Sequence, residues 1–587
     1  MKKVLFLFLL SSAFAYSAGD STSKQLTSEE LVAAVRRMTW RTHSSAAKER
    51  HNFIKCGVPV LKQLAESAPS LDAETRKQLN ELGIDTERPM AGFGRPEGLE
   101  WHYDTGIFRI HYTLKGNHAV DSTDSDSDGI PDMIELMAAT AEETYAVEIG
   151  EHGYTRPPSD RWYSDNGGTD AYDIYILDLG DLLYGFTQFE YLANLSGNNE
   201  FSEAKEEYAA TSYIVMNSNY SSFLCEEAAC VQVTFAHEFF HAIQFGYDAW
   251  DRIWFLESTA VWMEDEVYND INDNYYFLEL WMKQPHVALD YSRAPHWYGS
   301  WIFFRYLSEH FGGPTTIRKM FEQSVENVTK DESDNTIYTI DQVLRRRGSS
   351  FREALNQMAV ANHLLTSDID AGDYRYEEGA DYREYGIEPR LDRTVTLNGA
   401  GAIVEYTGNE LMHNATHYIG FTLPEGAIEM NFESFSDSLR YNINGIPESG
   451  ISFSVYRARG RTIIPIPTGT DMFTVAVVTD TVKNVKYHYR LTVNTDVIIP
   501  TAITLSPNFP NPFNVTTTIR FFLPTWEEVA LSVVDLKGRE VKSVKLGEVQ
   551  AGYNEVTLEA RDLPSGPYLI KLDGETETVA RKVMLIK

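Results

Sequence analysis

The feature that most constrains this chain is an uninterrupted apolar run at residues 231–245 that carries two histidines one helical turn apart. The run VQVTFAHEFFHAIQF contains no proline or glycine, so it predicts a buried helix. Residues four apart lie on one face of a helix, and His237 and His241 can therefore present their imidazole nitrogens to a single ion. Glu238 follows the first histidine directly, where its carboxylate could accept a proton from a water on that ion.

The pattern His237-Glu238-x-x-His241 resembles the H-E-x-x-H motif of zinc peptidases. The resemblance implies a tetrahedral zinc with three protein ligands and one open position for a water. The metal would lower the pKa of that water and polarise a substrate carbonyl. On the motif alone, the alternative is a core helix that carries two histidines by chance, and the stretch that follows decides between the two.

A second apolar helix that carries carboxylates is predicted at residues 254–265, WFLESTAVWMED. Glu257 comes sixteen residues after His241, and a carboxylate within an apolar helix is costly unless it is paired or bound to a metal. The stretch resembles the W-x-x-E-(G/S)-x-A segment of gluzincin metallopeptidases, and the resemblance implies that Glu257 is the third zinc ligand. The metzincin pattern requires glycine and histidine where this chain has Gln244 and Tyr247, so that alternative fails.

Two further residues gain roles from the same resemblance. Glu264 lies seven residues beyond Glu257, and in aminopeptidase-type gluzincins a glutamate at that offset hydrogen-bonds a zinc-bound histidine; the alternative is a solvated helix end. Tyr298, within the segment 296–307, resembles the tyrosine of the Y-x-x-G segment whose hydroxyl stabilises the oxyanion of the tetrahedral intermediate. Here Gly299 follows that tyrosine at once, so the spacing departs from the family pattern, and aromatic core packing is the alternative.

A calcium-binding loop is predicted at residues 124–135, which fit the spacing D-x-D-x-D-G-x5-E. Gly129 permits the sharp turn, and the final glutamate can bind the ion through both oxygens. The predicted ligands are Asp124, Asp126, Asp128, Ile130 (through its carbonyl), Asp132 and Glu135. Because a strand is expected before this loop, we expect an isolated structural site; the alternative is a solvated acidic linker.

The N-terminus predicts export from the cytoplasm. Residues 1–15 combine two lysines, an apolar stretch and a small-residue cleavage site, which is typical of a secretory signal peptide. No other apolar run is long enough to span a membrane, so we expect a soluble mature protein. The formal charge of −34 argues against nucleic acids and anionic membranes as partners.

The chain contains three cysteines, and we expect a local disulfide between Cys225 and Cys230 in an exported protein. That pairing leaves Cys56 as an odd thiol. Residues 55–59, KCGVP, resemble the R-C-G-V-P core of the cysteine switch in matrix metalloproteinase prosegments, in which an unpaired thiolate occupies the open zinc position. The flanking residues depart from that pattern and those enzymes are metzincins, so a buried cysteine of a helical domain is the alternative.

Changes of pattern along the chain divide it into five segments. They are a signal peptide (1–15), a helical candidate prosegment (16–98), an α+β zincin-like catalytic domain with a mixed sheet and active-site helices (99–390), and two all-β sandwich domains (391–498 and 504–587). The last segment contains PNFPNPFN at 507–514, VDLKGREV at 534–541 and KVMLIK at 582–587. These stretches resemble the sorting domain of type IX secretion in Bacteroidetes-like bacteria, which implies an Ig-like sandwich read by an outer-membrane translocon.

The sequence therefore predicts a secreted zinc metallopeptidase that acts on a protein or peptide substrate. Zinc is expected on His237, His241 and Glu257, with Glu238 as the general base. Two alternatives stay open: a surface adhesin whose peptidase-like domain is inactive, and a calcium-stabilised scaffold with a structural zinc. Zinc content measured together with casein hydrolysis distinguishes the three.

Overall fold

The computed structural model describes the chain from residue 26 onward, with gaps, and the predicted signal peptide lies outside the described residues. The described residues are 26–38, 54–88, 90, 92–193, 198–223, 225–327, 335–397, 401–407, 410–422, 426–435, 441–449, 452–453, 455–458, 461–466, 470, 472–479, 481, 483, 487–495, 502–525, 527–549, 552–575 and 577–587. Two compact units divide between Arg390 and Leu391. No helix among these residues combines the length and apolar content needed to cross a bilayer.

The unit Ser23–Arg390 holds the described helices. They are α1 (Ser28–Met38), α2 (Val58–Ser67), α3 (Ala73–Glu81), α4 (Asp132–Tyr145, extended by a π-helical turn Ala146–Glu151), α5 (Glu227–Asp248), α6 (Ile253–Val267), α7 (Tyr275–Met282), α8 (His296–Gly299), α9 (Trp301–His310), α10 (Pro314–Glu326), α11 (Asn335–Arg346), α12 (Phe351–Leu364) and α13 (Gly379–Glu384). The described 3-10 turns between them are Ala68–Ser70, Asn272–Asn274 and Ile369–Tyr374.

This unit also contains a mixed six-stranded sheet. Its strands are β1 (Ile54–Cys56), β4 (Trp101–Asp104), β5 (Phe108–Tyr112), β6 (Tyr172–Leu177), β7 (Leu183–Leu192) and β8 (Ala210–Asn217), while β2 (Ile84–Asp85) and β3 (Gly92–Phe93) form a separate pair. The order across the sheet is β1-β7-β8-β6-β5-β4. In this order β1 forms one end of the sheet. Its neighbour β7 runs parallel to β1 and antiparallel to β8.

Helix α5 contains the whole of the predicted helix and packs against β7, β8, α4 and α6. Its residues are buried from Cys230 through Tyr247, apart from Gln232. A helix that is apolar on all sides is stable only when other elements cover each side. The burial of α5 between the sheet and the other helices therefore sets where its histidines lie.

Arg95, which lies between β3 and β4, contacts three buried carboxylates. It makes two hydrogen bonds to Glu190, at 2.9 and 2.7 Å, one to Asp160 at 2.5 Å, and one to Asp173. These acidic residues come from β6, β7 and the loop before β6. A buried charge that loses its partner is strongly destabilising, so Arg95 anchors this part of the chain to the sheet.

We expect Arg95→Met to lower the free energy of unfolding of this unit by about 3–5 kcal/mol, because three carboxylates lose their shared cation. Urea unfolding of the full-length protein followed by tryptophan fluorescence measures the loss, since every tryptophan except Trp526 precedes residue 391. The matched control is Arg345→Met, which removes an exposed ion pair with Asp341 and should cost less than about 1 kcal/mol. Equal losses for the two variants would contradict the anchoring role.

The unit Leu391–Lys587 is rich in β-structure. Its first part contains β9 (Leu391–Thr396), β10 (Ala402–Thr407), β11 (Thr416–Thr422), β12 (Gly426–Ser434), β13 (Tyr441–Ser449), β14 (Ser452–Phe453), β15 (Tyr456–Ala458), β16 (Arg461–Ile466), β17 (Met472–Thr479) and β18 (His488–Asn494). They form sheets in the orders β10-β18-β12-β16 and β14-β13-β17-β11-β9, with β15 paired to β13. Side chains from both sheets, among them Val404 and Val475, share one hydrophobic core, which is consistent with a β-sandwich.

The second part of that unit has a core of its own, which includes Phe521 and Leu572. Its strands are β19 (Thr504–Leu505), β20 (Thr516–Leu523), β21 (Glu527–Val534), β22 (Glu540–Val549), β23 (Gly552–Glu559), β24 (Gly566–Asp573) and β25 (Thr578–Leu585). They form sheets in the orders β19-β20-β23 and β22-β21-β24-β25. This arrangement is likewise consistent with a β-sandwich.

Candidate functional site

The two histidines of α5 converge in the buried interior. Nε2 of His237 lies 3.1 Å from Nε2 of His241, and both side chains are almost completely inaccessible to solvent. Nδ1 of His237 donates to Oε1 of Glu264 at 2.6 Å, and Nδ1 of His241 donates to Oε1 of Gln244 at 2.7 Å. Since each Nδ1 is engaged as a donor, the lone pairs of the neutral imidazoles are on the two facing Nε2 atoms.

Helix α6 brings Glu257 to the same point. Its Oε1 lies 3.3 Å from Nε2 of His241 and its Oε2 lies 3.5 Å from Nε2 of His237. The carboxylate is fully buried, and neither oxygen has a hydrogen-bond partner among the described residues. A tetrahedral zinc with ligand bonds of about 2.0–2.1 Å places its ligand atoms about 3.3 Å apart. The three side chains therefore fit the spacing that such an ion requires.

The electrostatics of this group favour a positive charge. Burial disfavours the cationic form of His237, but Glu257 and Glu264 outweigh burial and raise the pKa of His237 to about 10. Burial acts to raise the pKa of Glu257, but the two imidazoles outweigh it and lower that pKa to about 2. The carboxylates therefore favour a positive charge at this point. A divalent cation that displaces the second proton of His237 would supply that charge and would leave the imidazole neutral, with its lone pair on Nε2.

Cys56 completes a group of four possible metal ligands. Its sulfur, one nitrogen from each histidine and one oxygen of Glu257 all lie within 4.8 Å of one another, and all four residues are buried. Burial, followed by the charges of Glu238 and Glu257, raises the pKa of the Cys56 thiol. A thiolate at this place therefore requires a cation beside it.

Glu238 lies at the border of this group. Thr187 donates to Oε2 of Glu238 at 2.8 Å and to its backbone carbonyl at 2.6 Å, whereas Oε1 accepts no hydrogen bond from an N–H or O–H group of the described residues. Burial raises the pKa of Glu238, although the charges of His241 and His237 oppose that rise. The Cys56 thiol also hydrogen-bonds this carboxylate. A carboxylate that is fixed in place and has a raised pKa is suited to accept a proton and pass it on.

Tyr298 lies beside the four-residue group, whereas His296 does not join it. The ring of Tyr298 is 6.4 Å from that of His237, centroid to centroid. Burial, then the charges of Glu257 and Cys56, raises the pKa of Tyr298 well above its usual range, so the phenol keeps its proton. His296 instead directs Nε2 at the carbonyl of Ala288, 3.0 Å away.

Three residues that sequence reasoning overlooked support the group. Gln244 orients His241, and its amide nitrogen donates to the carbonyl of Leu256, which fixes the direction of the amide. Thr187 holds Glu238. Lys55 is buried, and its Nζ lies 2.6 Å from Oε2 of Glu264 and 2.7 Å from Oδ2 of Asp273. Of the three, only Gln244 has a spacing from which its role could have been predicted. It follows His241 by three residues, so the two side chains lie on one face of the helix.

The acidic loop ahead of α4 gathers its first three aspartates. One carboxylate oxygen from each of Asp124, Asp126 and Asp128 lies within 4.8 Å of the others. Asp132 instead accepts hydrogen bonds from the backbone and hydroxyl of Ser125, at 2.8 and 2.6 Å. Burial and then the charges of these four aspartates raise the pKa of Glu135, which places its carboxylate in their shared field. A calcium ion bound through Asp124, Asp126, Asp128, Ile130, Asp132 and Glu135 stays a prediction.

We expect selective removal of calcium to lower the melting temperature of the full-length protein while its zinc content stays constant, because the clustered carboxylates then repel one another. The double variant Asp126→Asn, Asp128→Asn should lose most of this calcium dependence. Asp121→Asn is the matched control, since Asp121 precedes the loop and accepts hydrogen bonds from the backbone and hydroxyl of Thr123. A wild-type melting temperature that is the same with and without calcium would refute the loop assignment.

Cys225 and Cys230 form a disulfide directly ahead of and within the first turn of α5, with their Cα atoms 5.4 Å apart. Cys56 is a free cysteine. The link closes a short loop at the start of the helix that carries the histidines. It therefore restrains how the chain enters α5.

Two protein families match parts of the chain. Residues 508–587 match the secretion system C-terminal sorting domain, which confirms the predicted type IX sorting domain. The protein is therefore exported across the outer membrane, to the cell surface or the medium, through the type IX machinery. Residues 207–407 match a family of unknown function, DUF6055, and this range includes His237, His241 and Glu257. No curated protein matches the chain.

Solved structures with some likeness include three bacterial β-glucuronidases. The enzyme from Parabacteroides merdae has 12% identity and a TM-score of 0.11 over 28% of each chain. The Bacteroides uniformis enzyme has 13% identity and a TM-score of 0.12 over 29% of this chain and 26% of its own. The Bifidobacterium dentium enzyme has 9% identity and a TM-score of 0.11 over 33% of this chain and 49% of its own. The chain thus spans less than half of each, and at these TM-scores the likeness supports no statement on activity.

Proposed function

We propose that the protein is a secreted zinc-dependent peptidase with a zincin-like catalytic domain of the gluzincin type. The single observation that carries this proposal is the convergence of His237, His241 and Glu257 at tetrahedral ligand spacing, with Glu238 close enough for the charges of both histidines to act on it. The arrangement joins two helices and a buried carboxylate that has no hydrogen-bond partner among the described residues. A zinc ion bound by these three side chains would be the partner that the carboxylate lacks, and it would accept the lone pair of each Nε2 atom.

A zinc ion in this site would supply a Lewis acid that activates a water and polarises the carbonyl of a peptide bond. The residues of the chain perform the remaining steps. Glu238 accepts the proton of the attacking water on the oxygen that Thr187 does not hold and returns it to the leaving amine. Thr187 holds the other oxygen of Glu238, so the carboxylate stays aimed in one direction. The phenol of Tyr298, which keeps its proton and whose ring lies 6.4 Å from that of His237, is the proposed hydrogen-bond donor to the developing oxyanion.

Glu264 and Gln244 are positioning residues in this scheme. Each accepts a hydrogen bond from Nδ1 of one histidine, so both rings keep Nε2 directed at the ligand centre. Lys55 holds the second oxygen of Glu264. The histidines therefore do not have to reorient when a metal binds.

A second function is favoured by one specific observation, the presence of Cys56 in the ligand group. Four protein ligands fill a tetrahedral ion completely, and structural zinc sites are closed in this way. On that alternative, the metal stabilises a scaffold and the protein hydrolyses nothing. The alternative predicts tightly bound zinc in every form of the protein and no activity in any of them.

The test of the proposed function begins with metal analysis of the purified protein, which should show about one zinc per chain at this site. Hydrolysis of denatured casein and of a mixed peptide library is then measured on the full-length protein and again after removal of the N-terminal segment, the chain up to and including Gly57. Activity that disappears with a chelator and returns with zinc is the expected result. Bound zinc with no hydrolysis in either form would refute the peptidase function and leave the structural site.

A further inference from the structure

Strand β1 occupies one end of the six-stranded sheet, directly beside the ligand group. It pairs in parallel with β7, with Ile54 opposite Leu183 and Cys56 opposite Gly185. The backbone N–H of Gly57 extends the pairing by donating to the carbonyl of Gly185 at 3.2 Å. Without β1, β7 would be the terminal strand of this sheet among the described residues. An exposed sheet edge of this kind is where an extended peptide adds as a further strand.

Two neighbouring residues connect β1 to the ligand group by different routes. Lys55 binds Glu264, the carboxylate that orients His237. Cys56 brings its sulfur within 4.8 Å of the three other ligand atoms. Both side chains are buried. Strand β1 therefore contributes side chains to the interior of the site and does not only cover its surface.

The fit is also close at the residue that follows. A Cβ atom on Gly57 would come within 2.8 Å of Cβ of Phe186, an atom of β7 that cannot swing aside. Only glycine therefore allows the chain to continue at this distance from β7. A larger residue at position 57 would push the end of β1 away from β7.

We infer that Cys56 is a fourth metal ligand and that β1 is an internal occupant of the peptide-binding edge of β7, an inference that rests on the proposed function. Glu257 supplies the independent observation, because its buried oxygens have no hydrogen-bond partner among the described residues and one of them lies in the same group as the sulfur. Zinc accepts thiolate, imidazole and carboxylate together in tetrahedral geometry. With Cys56 in the fourth position no place is left for a water, and with β1 along β7 no place is left for an extended substrate.

The experiment uses the unprocessed full-length protein loaded with cobalt(II) in place of zinc. Cys56 is the one cysteine outside the disulfide, so a sulfur-to-cobalt charge-transfer absorption reports on this residue alone. We expect the absorption in the wild type and its complete loss in Cys56→Ser, with the metal still bound through the other ligands. Cobalt bound to the wild type without this absorption would overturn the ligand assignment.

A second experiment tests whether Cys56 closes the metal site to water. It measures hydrolysis by the unprocessed wild type and the unprocessed variants, now loaded with zinc. Because β1 still lies along β7 in these proteins, the substrate is a small chromogenic amide that is too short to pair with β7. We expect Cys56→Ser to hydrolyse it at least about tenfold faster than the wild type, because a water can then take the vacated position. The control is Lys62→Met, which removes another buried lysine of the same segment that contacts Ala249 and Trp250. It should keep both the absorption and the low rate.

The outcomes separate this inference from the proposed function. An unprocessed wild type that is as fast as Cys56→Ser overturns the closure and leaves the peptidase intact. An absorption that depends on Cys56 supports Cys56 as the fourth ligand. If no variant hydrolyses the substrate, and the protein without the N-terminal segment does not hydrolyse it either, the peptidase function is refuted. Melting curves of both variants show whether each is folded, and Cys56→Ala provides the same test if the serine variant is not.

Discussion

Glu238→Gln is expected to retain zinc and to lose between about 10² and 10⁴ of its hydrolysis rate, because the amide keeps the shape of the side chain and removes the base. Thr187 donates to the side chain at 2.8 Å, and the glutamine oxygen can accept the same hydrogen bond. The rate is measured on protein from which the N-terminal segment has been removed, so that the site is open. Zinc content is measured on the same samples.

The control for this substitution is Glu266→Gln, a carboxylate of α6 that contacts Arg305 and Ser308 instead of the metal group. It should keep both zinc and activity. A Glu238→Gln variant that loses zinc together with activity would show that Glu238 supports the metal site structurally. A variant that keeps most of its activity would exclude Glu238 as the base.

Glu257→Ala is expected to weaken zinc binding more than any change to the residues that orient the histidines, because it removes a ligand. Glu264→Ala should lower zinc affinity by only about 10- to 100-fold, since the ring of His237 loses its hydrogen-bond partner but keeps its lone pair. Zinc affinity is measured by competition with a chelator of known affinity. A larger loss for Glu264→Ala than for Glu257→Ala would reverse the assignment of ligand and orienting residue.

Gln244→Ala provides an independent comparison for the same experiment. Gln244 orients His241 as Glu264 orients His237, but it carries no charge. A similar loss of affinity for the two variants would show that ring orientation is the main contribution. A much larger loss for Glu264→Ala would indicate that its charge also contributes to holding the cation.

Sequence alone predicts the part of the site that lies on continuous helices. The spacing of His237 and His241 follows from helical geometry, and it places both Nε2 atoms together as expected. The role of Glu257 depends on family resemblance, and the structure brings its carboxylate to the two imidazoles. The fifteen residues between His241 and Glu257 do not by themselves determine that geometry.

The residues that sequence reasoning overlooked are those whose contacts depend on the sheet. Strand β7 is buried over its first eight residues, so it lacks the alternation of polar and apolar residues that marks a half-buried strand. Thr187 and the pairing partner of Cys56 both lie on that strand. Their places in the site could not be predicted without the strand and its register, which depend on contacts between segments far apart in the chain.

The Arg95 cluster has a consequence for how the protein matures. If β1 has to leave before a peptide can reach β7, the chain must be cut after Gly57, and a cut beyond Arg95 would strip the cation from three buried carboxylates. The cut is therefore expected between these two residues, and the exposed turn at Pro69–Ser70 lies within that interval. On this view the mature protein begins between Gly57 and Arg95 and keeps the Arg95 cluster intact. The departure of Lys55, by contrast, leaves the carboxylates of Glu264 and Asp273 without their shared cation, so removal of the segment acts on the ligand group and not on the Arg95 end of the sheet.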